Sequence, residues 1–205
     1  MCRRPGWSAA LFGVAVSADV AGRRWSRESP APIPTSLRWA LAIPRPSRAL
    51  RSTLQARPGE RILEIGPGLG QQAVQVAQWI GPEGRMHVVD LQQQMVDATT
   101  ARARKHNITI EAHLGDTSGQ LPFDDGYFDA AYLSSVLGEI PEAEGMLAEL
   151  YRVLRPHGRL VVTENAIDPD FVPPERLCRL AKSAGFAFET RSGPFFAYYA
   201  RFLKQ

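Results

Sequence analysis

Along residues 47–205, short apolar runs alternate with stretches in which apolar residues recur every three or four positions. This rhythm predicts strands alternating with helices. Ile62, Leu63 and Ile65 mark a strand over 61–65, apolar toward both faces as a sheet covered on both sides requires. Ala73, Val76, Ala77 and Ile80 then follow the i, i+3, i+4, i+7 spacing of one helical face. Further strands are expected over 86–90, 109–114, 127–133 and 160–163. The helices between them run from 92 to 106 on a thin face (Met95, Ala98, Ala101) and from 141 to 155 on a full one (Ala143, Met146, Leu147, Leu150, Leu154). Pro156-His157-Gly158 is expected to end the second of these. Pro173 and Pro174 suit the first turn of a helix running to Ala184, which Gly185 stops.

The tail departs from the rhythm. Residues 186–191 and 195–203 read as strands separated only by Ser192-Gly193-Pro194, so they must pair antiparallel, since a parallel crossover needs about a dozen residues or more. The last strand is apolar on both faces: Phe195, Ala197 and Tyr199 on one, Phe196, Tyr198 and Phe202 on the other. Such a strand belongs inside a sheet rather than at its edge. The pattern predicts a three-layer α/β sandwich whose sheet is mainly parallel.

Upstream, residues 1–30 read as a leader and 31–57 as a helical cap segment, with the main domain over 58–205. Five prolines between 30 and 46 leave room for a short helix over 36–43, and Ser47 opens another through about Ala56 that turns Ala49, Leu50 and Leu54 inward. The net charge of +3 hides an asymmetry: residues 1–60 carry +7 and the remainder −4. A basic, partly apolar leader could touch an acidic membrane surface, although its apolar run is too short to span one. No interleaving of aromatic and basic residues in the body supports nucleic-acid binding. Cys2 and Cys178 are too few for a disulfide framework, which favours a reducing, cytoplasmic setting.

In an open α/β sheet, ligands bind outside the carboxyl ends of the strands. Four polar features fall there: the glycine turn Gly66-Pro67-Gly68-Leu69-Gly70 after the first strand, Asp90 after the second, Gly115-Asp116 after the third and Leu133-Ser134-Ser135 after the fourth. The turn offers unpaired N–H groups and the positive end of a helix, and an acid at the second strand end suits ribose hydroxyls. A dinucleotide fingerprint fits less well, because the G-x-G-x-x-G spacing counted from Gly66 places Gln71 where the third glycine belongs.

These residues resemble the class I S-adenosylmethionine-dependent methyltransferases of the seven-stranded type. Glu64-Ile65-Gly66-Pro67-Gly68-Leu69-Gly70 is similar to the family's first motif. Further likenesses are Leu121-Pro122-Phe123 followed by Tyr127-Phe128-Asp129, and the segment 149–160, where a Gly usually stands in place of His157. The subgroup most resembled includes quinone-biosynthesis and other small-molecule enzymes. The resemblance implies a Rossmann-like sheet with its last strand inserted antiparallel, and S-adenosylmethionine bound by Glu64, Gly66, Pro67, Gly68, Gly70, Asp90, Leu91, Gly115, Asp116, Thr117, Leu133 and Ser134. It implies no metal.

The chemistry implied is direct methyl transfer to a small acceptor, expected to be hydrophobic or aromatic from Trp39, Leu41, Ile43 and Phe171. Many relatives carry a His-His pair after the fourth strand, where this chain reads Gly138-Glu139. Glu139 is therefore a weak candidate base, His113 reads as a wall residue, and His157 as structural or exposed. The missing base leaves a second reading, a non-catalytic module that binds the cofactor.

Overall fold

A computed structural model of the chain describes residues 47–115 and 120–205. The leader over 1–30, the helix expected over 36–43, Asp116 and Thr117 lie outside the described residues. Helix α1 (Ser47–Leu54) precedes a regular alternation of β1 (Arg61–Ile65), α2 (Gln71–Ile80), β2 (Arg85–Asp90), α3 (Gln93–Lys105) and β3 (Glu111–Leu114). Next come β4 (Phe128–Ser134), a single 3-10 turn (Leu137–Glu139), α4 (Ala143–Val153), β5 (Leu154–Asn165), α5 (Pro174–Ser183), β6 (Phe186–Ser192) and β7 (Ala197–Lys204).

The seven strands form one sheet in the order β3-β2-β1-β4-β5-β7-β6. The first five pair in parallel, and β7 runs antiparallel between β5 and β6. This is the Rossmann-like arrangement expected, with the two-faced apolar strand inside the sheet. Tyr198, Ala200 and Phe202 enter the core on one face, with Leu63, Leu133, Leu150 and Leu177. Tyr199 packs on the other, with Leu50, Ile62, Val76 and Val161. Helix α1 contributes Leu50 and Leu54, both fully buried, to that second face. Arg201 donates to the Thr53 carbonyl and ties α1 to β7.

Three expectations need correction. First, the last strand begins at Ala197, not Phe195: the Ala197 N–H bonds back to the Pro194 carbonyl, and Phe195 and Phe196 stand exposed on the resulting turn. Second, β3 starts two residues late, at Glu111; as an edge strand it has a single neighbour to pair with. Third, no loop separates α4 from β5. Leu154 is buried and paired with Phe128, while the next pair joins Ala130 to Arg159, so residues 155–158 bulge out of a strand that has already begun.

The bulge places His157 at φ +62°, in the left-handed region. That conformation costs a residue bearing a Cβ about 1 kcal/mol or more. We therefore expect His157→Gly to raise stability by about 0.5–1 kcal/mol, the gain being reduced by the extra freedom of glycine in the unfolded chain. A rise of about 1–4 °C in the thermal midpoint checks this; a fall would show that the exposed imidazole makes a stabilising contact.

Candidate functional site

Strands β1, β2 and β4 end level with one another, because Ile65 is in register with both Val89 and Leu133. The chain leaving β1 is pinned at once by the Gly66 N–H donating to the Val89 carbonyl at 2.9 Å. Gly66, Gly68 and Gly70 all adopt positive φ, at 66°, 55° and 70°. Their surroundings differ. A Cβ on Gly66 would lie 2.6 Å from Val136 Cγ2, and one on Gly70 would lie 2.8 Å from Thr99. One on Gly68 would meet nothing within 4 Å. The outer two glycines are thus required by close packing, and the middle one opens onto free space.

Helix α3 holds this turn from behind. Thr99 Oγ1 donates to the Gly68 carbonyl at 3.2 Å, and Arg102 Nε donates to the Leu69 carbonyl at 2.6 Å. These carbonyls are thus held from behind, and Gly70 opens α2 in the left-handed region with no side-chain cap among the described residues. Sequence reasoning missed Thr99 and Arg102. Their signal is slight, a buried threonine and an arginine on an otherwise apolar helical face.

Asp90 ends β2 with only 8% of its surface exposed. Burial pushes its pKa up, while backbone N–H groups of Gln92, Gly68 and Leu91 favour the charged form. The Gln92 bond, at 2.9 Å, engages Oδ1. Leu91, next along, is half exposed, an apolar surface beside a carboxylate. The Gly115 N–H donates to the Asp90 carbonyl at 3.1 Å, and a Cβ there would lie 2.8 Å from Val89 Cγ1, so the chain leaves β3 pressed against the end of β2.

Glu64 lies beneath the turn, where its Oε2 accepts the Tyr132 hydroxyl at 2.7 Å. Burial, followed by the Glu64 charge, raises the Tyr132 pKa well above its usual range. Pro67 is buried within the turn. The Leu133 side chain is buried in the core, so this residue offers the site only its backbone. Ser134 Oγ sits 3.1 Å from Thr163 Oγ1.

The side facing β4 and β5 contains an unexpected carboxylate. Glu164 is buried near the end of β5; its Oε2 accepts the Val172 N–H at 3.3 Å, and its Oε1 has no hydrogen-bond partner among the described residues. Burial, with the charges of Asp168, Glu139 and Asp170, pushes its pKa up to about 8 against the opposing Val172 bond. Glu139 is exposed on the 3-10 turn. The neighbouring Gly138 is forced by packing, since a Cβ there would come within 1.8 Å of the Asp170 carbonyl oxygen. A bulkier residue cannot replace it while these loops touch.

Phe171 meets Phe195 and Tyr198 edge-to-face at 6.0 and 6.1 Å. Tyr198 spends its hydroxyl on the Val172 carbonyl at 2.6 Å. Ile167, Phe195 and Phe196 stay exposed around this end of β5, joined by the Ala166 N–H donating to the Phe196 carbonyl at 2.7 Å. His157 is exposed on the opposite, amino-terminal side of β5, and His113 lies on β3.

A buried carboxylate, an exposed leucine and a glycine opening onto free space suit a ligand with a diol, a flat ring and a charged tail. The residues present thus fit S-adenosylmethionine. Asp90 would hold the ribose, Leu91 the ring, and the turn at Gly66–Gly70 the amino-acid end.

Residues 62–158 match the family model described as a methyltransferase domain. An uncharacterized 37.1 kDa protein in transposon TN4556 of Streptomyces fradiae is 35% identical over 192 residues, covering 80% of this chain and 55% of that protein. The ubiquinone/menaquinone biosynthesis C-methyltransferase UbiE of Vibrio parahaemolyticus is 33% identical over 110 residues, covering 53% and 42%. The chain thus spans about half the length of the curated relatives it matches. Among solved structures, a SAM-dependent methyltransferase from Aquifex aeolicus superposes with a TM-score of 0.69 at 17% identity, covering 90% of this chain and 98% of its own.

Proposed function

We propose that this chain, which belongs to the class I S-adenosylmethionine-dependent methyltransferases, transfers a methyl group to a small, apolar acceptor. The observation that carries the reading is the level set of strand ends at which Asp90, Leu91 and the open face of Gly68 converge. When bound, the cofactor supplies an electrophilic methyl group on a sulfonium, so the protein's work is alignment and exclusion of water. Alignment alone can remove about 7–11 kcal/mol of barrier. Asp90 and the open face of the turn at Gly68 orient the donor, and Thr99 and Arg102 keep that turn in place.

The exposed apolar rim of Ile167, Phe195 and Phe196 supports a hydrophobic acceptor, as does the likeness to a quinone-pathway enzyme. Glu164, whose Oε1 has no hydrogen-bond partner among the described residues, is the candidate proton acceptor for a hydroxyl or ring carbon that must lose a proton. It displaces the exposed Glu139 from that role.

Calorimetry of the full chain with S-adenosylmethionine and S-adenosylhomocysteine is expected to show binding of both; binding of neither overturns the reading. Methyl transfer from labelled cofactor, tested over quinols, phenols, amines and thiols, is expected on an apolar quinol or phenol. Turnover confined to polar amines would overturn the acceptor class while leaving the cofactor assignment standing.

A further inference from the structure

Away from the strand ends, on the face of the sheet opposite Asp90, three metal-ligating side chains meet across the two outermost parallel strands. His87 of β2 is in register with Glu111 of β3, and His113 stands two residues on, on the same face as Glu111. His87 Nδ1 lies 3.4 Å from His113 Nε2 and 3.6 Å from Glu111 Oε2, and the three ligand atoms all fall within 4.8 Å of one another. A tetrahedral zinc ion, with bonds of about 2.0–2.2 Å to nitrogen and oxygen, needs neighbouring ligand atoms about 3.4 Å apart. The two separations from His87 already match, and the third lies within 4.8 Å.

We infer that His87, Glu111 and His113 form a binding site for one divalent transition-metal ion of the zinc class, which clips the edge strand β3 to β2.

The surroundings favour this donor set. His87 is 3% exposed and rigidly held, since Phe123, Tyr127 and Phe128 meet its ring edge-to-face at 5.2–5.5 Å. With Nδ1 on a metal, the ring proton moves to Nε2. That atom has no hydrogen-bond partner among the described residues and lies within this aromatic enclosure. Arg85 Nη1 takes Glu111 Oε1 at 3.2 Å, which fixes the carboxylate with Oε2 turned toward His87.

Two imidazoles and one carboxylate select zinc-like ions over magnesium or calcium, which prefer all-oxygen sets. Glu111 is 41% exposed, so an ion can enter from solvent and keep water as its fourth ligand. His87 precedes Asp90 by three residues, about 10 Å along the strand. The ion would therefore brace the edge of the sheet rather than touch reactants.

The test uses the full chain stripped of metal and titrated with cobalt(II), whose visible absorption reports tetrahedral coordination. One equivalent is expected to bind, zinc to displace it, and zinc to raise the thermal midpoint by several degrees. Glu111→Gln and His113→Asn should each weaken cobalt binding by about tenfold or more and abolish the thermal shift. His106→Asn, which alters a histidine outside the cluster, should leave both unchanged. Absence of a tetrahedral signal would overturn the proposal. So would a signal that survives both cluster variants, or one that His106→Asn removes, because either result places the metal elsewhere.

Discussion

Replacing Asp90 by Asn is expected to lower the affinity of the full chain for S-adenosylhomocysteine about a hundredfold while leaving its stability at neutral pH unchanged or raised. The first half follows from the position of the carboxylate. Its charge strengthens each hydrogen bond it accepts, and a bond to a charged group contributes about 1.5–3 kcal/mol against about 1 for a neutral one. Losing that difference over two ribose hydroxyls amounts to about 2.7 kcal/mol, or two decades of affinity. The second half follows from the sign of the pKa shift. Burial raises the folded-state pKa of Asp90, so above its unfolded pKa the ionised group costs stability. Asparagine removes that cost and keeps an oxygen for the Gln92 N–H. Calorimetry paired with thermal unfolding measures both halves. A change in affinity below threefold would remove Asp90 from the cofactor site, and a large loss of stability would make its role structural.

What the sequence disclosed about this site was its local chemistry. The glycine turn, Asp90 and the antiparallel placement of β7 are each written within a dozen residues, because turn conformation, strand parity and short connections are local constraints. The features it withheld depend on pairing between distant segments. Thr99 reaches Gly68 only because α3 packs on the turn 31 residues before it. His87 faces Glu111 and His113 through a parallel register that neither stretch encodes alone. Gly138 reads as the place of a missing base from sequence. In the fold it is a steric necessity imposed by the Asp170 carbonyl, with a loop carrying other acids folded over it. The glycine at this position is thus coupled to the 164–172 segment, and the candidate proton acceptor is sought on β5 instead.

That relocation leads to the second large effect. Glu164→Gln is expected to match the unaltered chain in stability below about pH 4 and to exceed it by about 3–5 kcal/mol above pH 9. The folded-state pKa of Glu164 is pushed up to about 8 from an ordinary 4.5. Below 4.5 the group is protonated whether the chain is folded or not, and it contributes no pH dependence. Between 4.5 and 8 the unfolded chain ionises while the folded one holds its proton, so stability falls as pH rises. Above 8 the folded chain ionises too and the loss levels off, with the full difference in place. Glutamine stays neutral throughout and preserves an acceptor for the Val172 N–H, so the variant lacks this slope. Subtracting the two stability curves isolates Glu164 from every other titrating group, and parallel curves would show that the carboxyl is not held neutral. The same substitution separates stability from turnover. A proton acceptor must be ionised to act, so methyl transfer by the unaltered chain should climb toward pH 8, where its stability is falling. The glutamine variant should be the more stable protein and the slower enzyme, because the burial that destabilises the carboxylate is what makes it a strong base.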